Sequence, residues 1–201
     1  MNERDKKKTI ELYEERYKSY GYDIRTVGWR DWPQQELRFR ILTEPFDLNG
    51  KSVLDVGCGF GDLYNYLKKH FRLVKYTGVD IAPSLIKDAK KRHPGARFAV
   101  TDILKGDCKD RYDYIFLSGA FNHRISNNIV FAKKMIKKMF EISREGIAFN
   151  MLSTYVDYTK PINYHYSPEE FFGYAKTLSR FVNLKHDYPL WEFTIHIIKR
   201  S

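Results

Sequence analysis

Val53-Leu54-Asp55-Val56-Gly57-Cys58-Gly59-Phe60-Gly61-Asp62-Leu63 is the stretch on which the fold turns. A short run with the texture of a buried strand leads into three alternate glycines, and a helical pattern follows from Leu63 to Phe71. Glycine lets a strand turn sharply into a helix and brings backbone within contact distance of a ligand, while the first amides of the helix point at it. The spacing is G-x-G-x-G, with Asp62 where the dinucleotide fingerprint would put its last glycine, which weighs against a nicotinamide or flavin cofactor.

Outward from this turn the chain alternates. Apolar runs at 53–56, 76–79, 97–100, 114–117 and 147–149 read as buried strands, and helical patterns at 63–71, 83–92 and 125–142 fall between them. Strand alternating with helix predicts a parallel, doubly wound α/β sheet with right-handed crossovers. Ser167-Pro168-Glu169-Glu170 reads as a capping box opening one more helix. Two strands, 181–186 and 193–198, follow with a connection so short that they must pair antiparallel, giving seven strands with the last reversed at or near an edge. Before Gly50, Ile10, Tyr13, Tyr17 and Tyr20 mark one helix ending at Gly21, and Pro33 to Thr43 a second with Leu37, Ile41 and Leu42 on one side. The chain is read as one domain, 1–201, with residues 1–49 as an N-terminal helical cap on a core of residues 50–201.

Acids stand at the predicted C-terminal ends of three strands. Asp55 precedes the first glycine by two, Asp80 lies 19 residues beyond Gly61 where a carboxylate binds ribose hydroxyls, and Asp102 closes the third strand. Open α/β sheets bind ligands at that edge. With these residues in place, the sequence resembles the class I S-adenosylmethionine-dependent methyltransferases over about residues 50–200, and its texture is similar to small bacterial metabolite methyltransferases. The resemblance implies a Rossmann-like fold and S-adenosyl-L-methionine as cofactor. It implies that Asp55, Gly57, Gly59 and Gly61 wrap the methionine part, Asp80 the ribose and Asp102 the adenine amino group. Ile81 and Ile103 would sandwich the adenine, and Ser118 would lie near the cofactor's amino-acid end. Arg38, then Gln35, are candidates for the cofactor carboxylate.

Methyl transfer from a sulfonium is an in-line displacement, so an acceptor atom must be held about 3 Å from the methyl carbon and a hydroxyl must lose its proton. The loops after the fourth and fifth strands supply the candidate bases. His123 comes first by position, His165 second, and Asp157 is a base or a support for a histidine. The fourth strand lacks the N-P-P-Y or D-P-P-Y ending that grips a planar nitrogen, and no second acid accompanies Asp157 to build a magnesium site. The expected activity is metal-free O-methylation of a small metabolite, with anionic ones among the candidates. RNA or protein methylation is one alternative, and a non-catalytic protein of the same fold is another.

With 201 residues, 43% of them apolar, the chain can bury roughly 70% of its unfolded surface without a disulfide or metal staple, which excludes disordered and small-scaffold classes. The formal charge of +10 permits an anionic partner, but runs such as Lys6-Lys7-Lys8, Lys90-Lys91-Arg92 and Lys137-Lys138 are expected on solvated helix faces, so nucleic acid is not the expected partner. Cys58 and Cys108 form no disulfide framework or zinc spacing, and the polar start carries no secretory or membrane-spanning pattern. A cytoplasmic protein with no membrane partner is expected, and its oligomeric state is left open.

Overall fold

The computed structural model describes residues 1–105 and 110–199. Cys108, used above to argue the compartment, lies outside the described residues. The chain order is α1 (Glu3–Tyr20), α2 (Trp32–Thr43), β1 (Ser52–Val56), α3 (Asp62–His70), β2 (Lys75–Asp80), α4 (Pro83–Arg92) and β3 (Arg97–Val100), then β4 (Tyr112–Leu117), α5 (Asn128–Ile142), β5 (Ser143–Leu152), α6 (Pro168–Leu178), β6 (Phe181–Lys185) and β7 (Glu192–Ile198). The strands form one sheet in the order β3-β2-β1-β4-β5-β7-β6. β1 pairs parallel with both β2 and β4, so the winding direction reverses there, and the crevice at the C-terminal ends of these strands is where open sheets take ligands.

β7 runs antiparallel to β5 and β6 and lies one place in from the edge, which β6 occupies. The burial of the two strands follows: β7 is buried almost throughout, while β6 is mostly half-buried. Alternation of side chains across the sheet sends Leu54, Ile115 and Phe149 into one core with α5 and α6, and Val53, Tyr114 and Phe116 into another with α2 and α3. Burying a Leu or Phe side chain contributes about 1.5–3 kcal/mol, so these two layers carry the fold.

Four local expectations are corrected. α5 begins at Asn128, not Ile125, because Asn127 caps it by accepting from Val130 N. The capping box at α6 closes on one side only: Ser167 Oγ accepts from Glu170 N, but the Glu170 carboxylate pairs with Lys133 at 2.7 Å. α2 turns Gln35 and Arg38 inward beside Ile41 and Leu42, so its buried side is mixed, and Leu37 is only half-buried. Lys6, expected on a solvated face, is half-buried.

α1 buries no residue completely, yet Tyr13 and Tyr17 pack around Phe60, Ala82 and Leu85, which lays the helix over the glycine turn and the start of α4. α4 has no side-chain cap of its own. Glu14 of α1 accepts from Ser84 N at 3.0 Å and supplies it.

Candidate active site

Gly57, Gly59 and Gly61 all have left-handed backbone, with φ of 73, 53 and 80°. At Gly57 the need is also steric, since a Cβ would stand 2.9 Å from that of Ala120. The turn is pinned by Gly57 N and Cys58 N, which donate to the Val79 carbonyl at 2.8 and 3.1 Å, and by Gly59 N, which donates to Asp80 Oδ2 at 2.9 Å. Asp80 Oδ1 accepts from Ala82 N, so one carboxylate joins the glycine turn to the end of β2. Burial pushes its pKa up against these hydrogen bonds.

A cavity of about 600 Å³ opens over these strand ends. Asp55, Gly57, Gly59, Asp80, Ile81, Asp102, Ile103 and Ser118 line it, as do Gln35 and Arg38. Gly61 does not; it turns away beneath Phe98 and His93. Asp55 is buried and accepts from Tyr76 Oη at 2.7 Å, and desolvation pushes its pKa up to about 7. Ser118 Oγ accepts from Asn150, whose Oδ1 takes Gly119 N, so a β5 side chain braces the end of β4. Gln35 Nε2 reaches Asp62 Oδ2 at 3.4 Å, and Arg38 Nε donates to Glu192 at 2.9 Å. Both candidates for a ligand carboxylate are therefore already engaged with acids of the chain.

Of the three candidate bases, His123 lines the cavity and His165 and Asp157 do not. The β5–α6 loop turns Tyr158, Lys160 and Asn163 toward the space instead, and Asp157 is left exposed while His165 is half-buried near Arg124. His123 pairs through its backbone with Asn163 and rests edge-on against Tyr13. Burial, then repulsion from Arg16, holds its imidazole below the ordinary value. His196 is structural: its Nε2 donates to the Ile41 carbonyl oxygen from inside the sheet.

Sequence reasoning missed Lys6, Arg16 and Glu192 as parts of this region. Glu192 left a trace, a charge beside an apolar strand. Lys6 left none, because its partner Asp102 is 96 residues away.

Polar atoms at this cavity still want partners. Arg38 Nη1, Asn122 Oδ1 and Glu192 Oε1 are buried without one, and all three residues line the space. Apolar walls at Ile81 and Ile103, carboxylates at Asp80 and Asp102 and a glycine cradle between fit an adenosyl group linked to a polar tail. The sheet order, the reversed β7 and this cradle define a class I S-adenosylmethionine-dependent methyltransferase. Known proteins agree. The family of methyltransferase domains matches residues 53–146. A Mycobacterium tuberculosis protein provisionally named methyltransferase Rv1506c is 34% identical over 173 residues, covering 82% of this chain and all of that protein. The malonyl-[acyl-carrier protein] O-methyltransferase of Acetivibrio thermocellus is 34% identical over 92 residues, 43% of this chain and 32% of its own length. The structure of magnesium protoporphyrin IX methyltransferase from Synechocystis PCC 6803 with bound SAH superposes with a TM-score of 0.69 at 14% identity, covering 98% of this chain and all of that one, and supports the fold. The chain belongs to the methyltransferase family.

Proposed function

We propose that this enzyme O-methylates a small anionic metabolite without a metal, as one domain of residues 1–201 in the cytoplasm. The single observation that carries the reading is that His123 lines the cavity together with Arg16, where burial first and the Arg16 charge second hold its imidazole below the ordinary value. An imidazole that is neutral at cellular pH suits removal of a hydroxyl proton. Arg16 and Lys160 line the same space, and no carboxylate partner within salt-bridge distance is found for either among the described residues, which favours a negatively charged acceptor. No three His, Cys, Asp or Glu side chains among the described residues gather in an arrangement suited to a metal.

The cofactor supplies an electrophilic methyl group on a sulfonium. Asp80 and Asp102 would hold its ribose and adenine, Ile81 and Ile103 the ring faces, and the glycine turn, Ser118 and Arg38 its amino-acid tail. The chain's own part in the reaction is to exclude water, orient the acceptor and take its proton at His123. No helix among the described residues is long and apolar enough to cross a membrane, and Cys58 is a free buried thiol, which suits a reducing compartment.

A screen with methyl-labelled cofactor against small hydroxy acids, phenols, amines, bulk RNA and protein extract tests this reading. Label in a small acidic product supports it. Label confined to RNA or protein favours the alternative, and cofactor binding without transfer to any acceptor favours a binding protein.

A further inference from the structure

Two loops frame the acceptor side of the cavity, and each sets one aromatic ring there. Tyr158 follows β5 and Trp191 precedes β7; both line the cavity, yet they are 57% and 48% exposed. Their ring centroids lie 6.5 Å apart with the planes at 81°, so the two rings make an open corner. Backbone hydrogen bonds hold the loops that carry it. Ser153 N donates to the Trp191 carbonyl at 3.1 Å. Arg124 donates from its backbone N to Ile162 O at 2.8 Å and from Nε to Pro161 O at 3.0 Å, which ties the loop after β5 to the end of β4.

Exposed rings on anchored backbone are ready for a ligand that covers them, because their ordering cost is already met before binding. Two perpendicular rings offer a face and an edge, and a third ring packs favourably against both. A saturated chain would gain from the apolar area but make no use of that angle. An aromatic corner also suits a quaternary ammonium, but Arg16 and Lys160 line the same space and repel a cation. Their charge selects a ring bearing an acidic group. Lys160 stands two residues beyond Tyr158 on the same exposed loop. Arg16 is half-buried, with its guanidinium 5.8 Å from the Tyr13 ring centre, and Tyr13 packs edge-on against His123 at 5.6 Å.

We infer that the acceptor is an aromatic hydroxy acid, its ring in the corner of Tyr158 and Trp191, its carboxylate paired with Lys160 and its hydroxyl at His123 on the Arg16 side. This rests on the O-methyl transfer proposed above and names its substrate class. In the reaction the phenol oxygen bonds the methyl carbon while the carbon–sulfur bond breaks with its electron pair passing to sulfur, and the phenol proton passes to the His123 imidazole. Arg16 stabilises the oxygen as that proton leaves.

Titration of the protein saturated with S-adenosylhomocysteine, read by tryptophan fluorescence and calorimetry, tests the assignment. The probes are 4-hydroxybenzoate and 4-hydroxycinnamate, their saturated counterpart 4-hydroxycyclohexanecarboxylate, neutral phenol, and choline. The variants are Trp191→Leu, Tyr158→Leu and Lys160→Gln, all at exposed side chains. At least one aromatic acid is expected to bind roughly tenfold tighter than the saturated acid and to quench fluorescence. Trp191→Leu and Tyr158→Leu should each reduce that preference roughly three- to tenfold, with the quenching lost in Trp191→Leu. Lys160→Gln should weaken the acids by about two- to fivefold and leave phenol unchanged. Equal binding of planar and saturated acids, a preference that survives both ring variants, tighter binding of choline, or no binding of any aromatic acid overturns the inference. Methyl label is then followed in the same acids. Transfer to an aliphatic hydroxy acid alone overturns the aromatic class and leaves the O-methyl reading standing, whereas aromatic acids that bind in the expected pattern but take no label uphold the ring site and count against that reading.

Discussion

Lys6 of α1 reaches across the cavity mouth and sets its ammonium 3.2 Å from Asp102 Oδ2 at the end of β3. The carboxylate assigned to the adenine amino group thus also anchors a helix that lies over the site. α1 is tied down further by Asn2 and Asp5 on Ser126 and by an ion pair between Glu3 and Lys105. Part-exposed ties of this kind are worth about 0.2–1 kcal/mol each, which suits a cover that opens and closes. Lys6→Met with Asp5→Ala is expected to speed dissociation of S-adenosylhomocysteine about two- to tenfold, read by stopped-flow fluorescence, with a small change in melting temperature. Slower release in this variant would mean that Lys6 competes with the ligand for Asp102 rather than closing over it.

Asp80 and Asp102 differ in what they hold. Asp80 accepts from the backbone of Gly59 and Ala82, whereas Asp102 accepts from Leu104 N and Lys6. Asp80→Ala should therefore weaken S-adenosylhomocysteine binding more than Asp102→Ala, since a ribose presents two hydroxyls to a carboxylate and adenine one amine. It should also cost about 1–2 kcal/mol of stability in the free protein, because two backbone donors lose their acceptor. Equal melting temperatures for the two variants would count against Asp80 as the brace of the glycine turn.

The buried Asp55 makes stability depend on pH. Its folded pKa of about 7 lies above the unfolded value near 3.8, so between these the folded protein keeps a proton that the unfolded chain releases. Its stabilising contribution is complete below about pH 4 and is lost as pH rises through 7. Burial raises Asp62, Asp80 and Glu192 in the same direction. Asp55→Asn, which still accepts from Tyr76, should flatten the fall in melting temperature between pH 5 and 8 but not abolish it. A variant whose slope matches the wild type would show that Asp55 ionises freely in the folded state.

His123 and Arg16 make a linked pair of tests once an acceptor is known. His123→Ala should lower turnover roughly 100-fold or more with cofactor affinity nearly unchanged. A base must be neutral to act, so activity rises with pH through its pKa, and the depressed value puts that rise below about pH 6.5. Arg16→Gln removes a repulsion and should move the rise upward. Turnover that persists without His123 moves the chemistry to positioning alone, as for an acceptor that is already ionised.

Gly119 tests where Trp29 sits. A Cβ at Gly119 would come within 2.3 Å of the indole, and its φ of 78° disfavours any side chain. Gly119→Ala should destabilise the free protein by about 1–3 kcal/mol and displace the Trp29 ring, which near-ultraviolet circular dichroism would register.

Much of this was legible along the chain because it is local. Glycines on alternate positions after an apolar run permit the left-handed backbone a tight turn uses, and a short link between 181–186 and 193–198 forces an antiparallel pair whatever surrounds it. Asp55, Asp80 and Asp102 announced themselves by standing where strands end. Tertiary structure alone decided which polar groups meet. Lys6 finds Asp102 and Arg38 finds Glu192 only after the sheet has closed, across separations that no periodicity encodes. The same holds for the loop after β5, where the docking of its backbone beside His123 sends Tyr158 and Lys160 into the cavity and leaves Asp157 in solvent. A sequence fixes where a backbone must turn and which face seeks apolar company, but the direction of a loop side chain is set by what it packs against, and that is known only when the distant parts of the chain are in place.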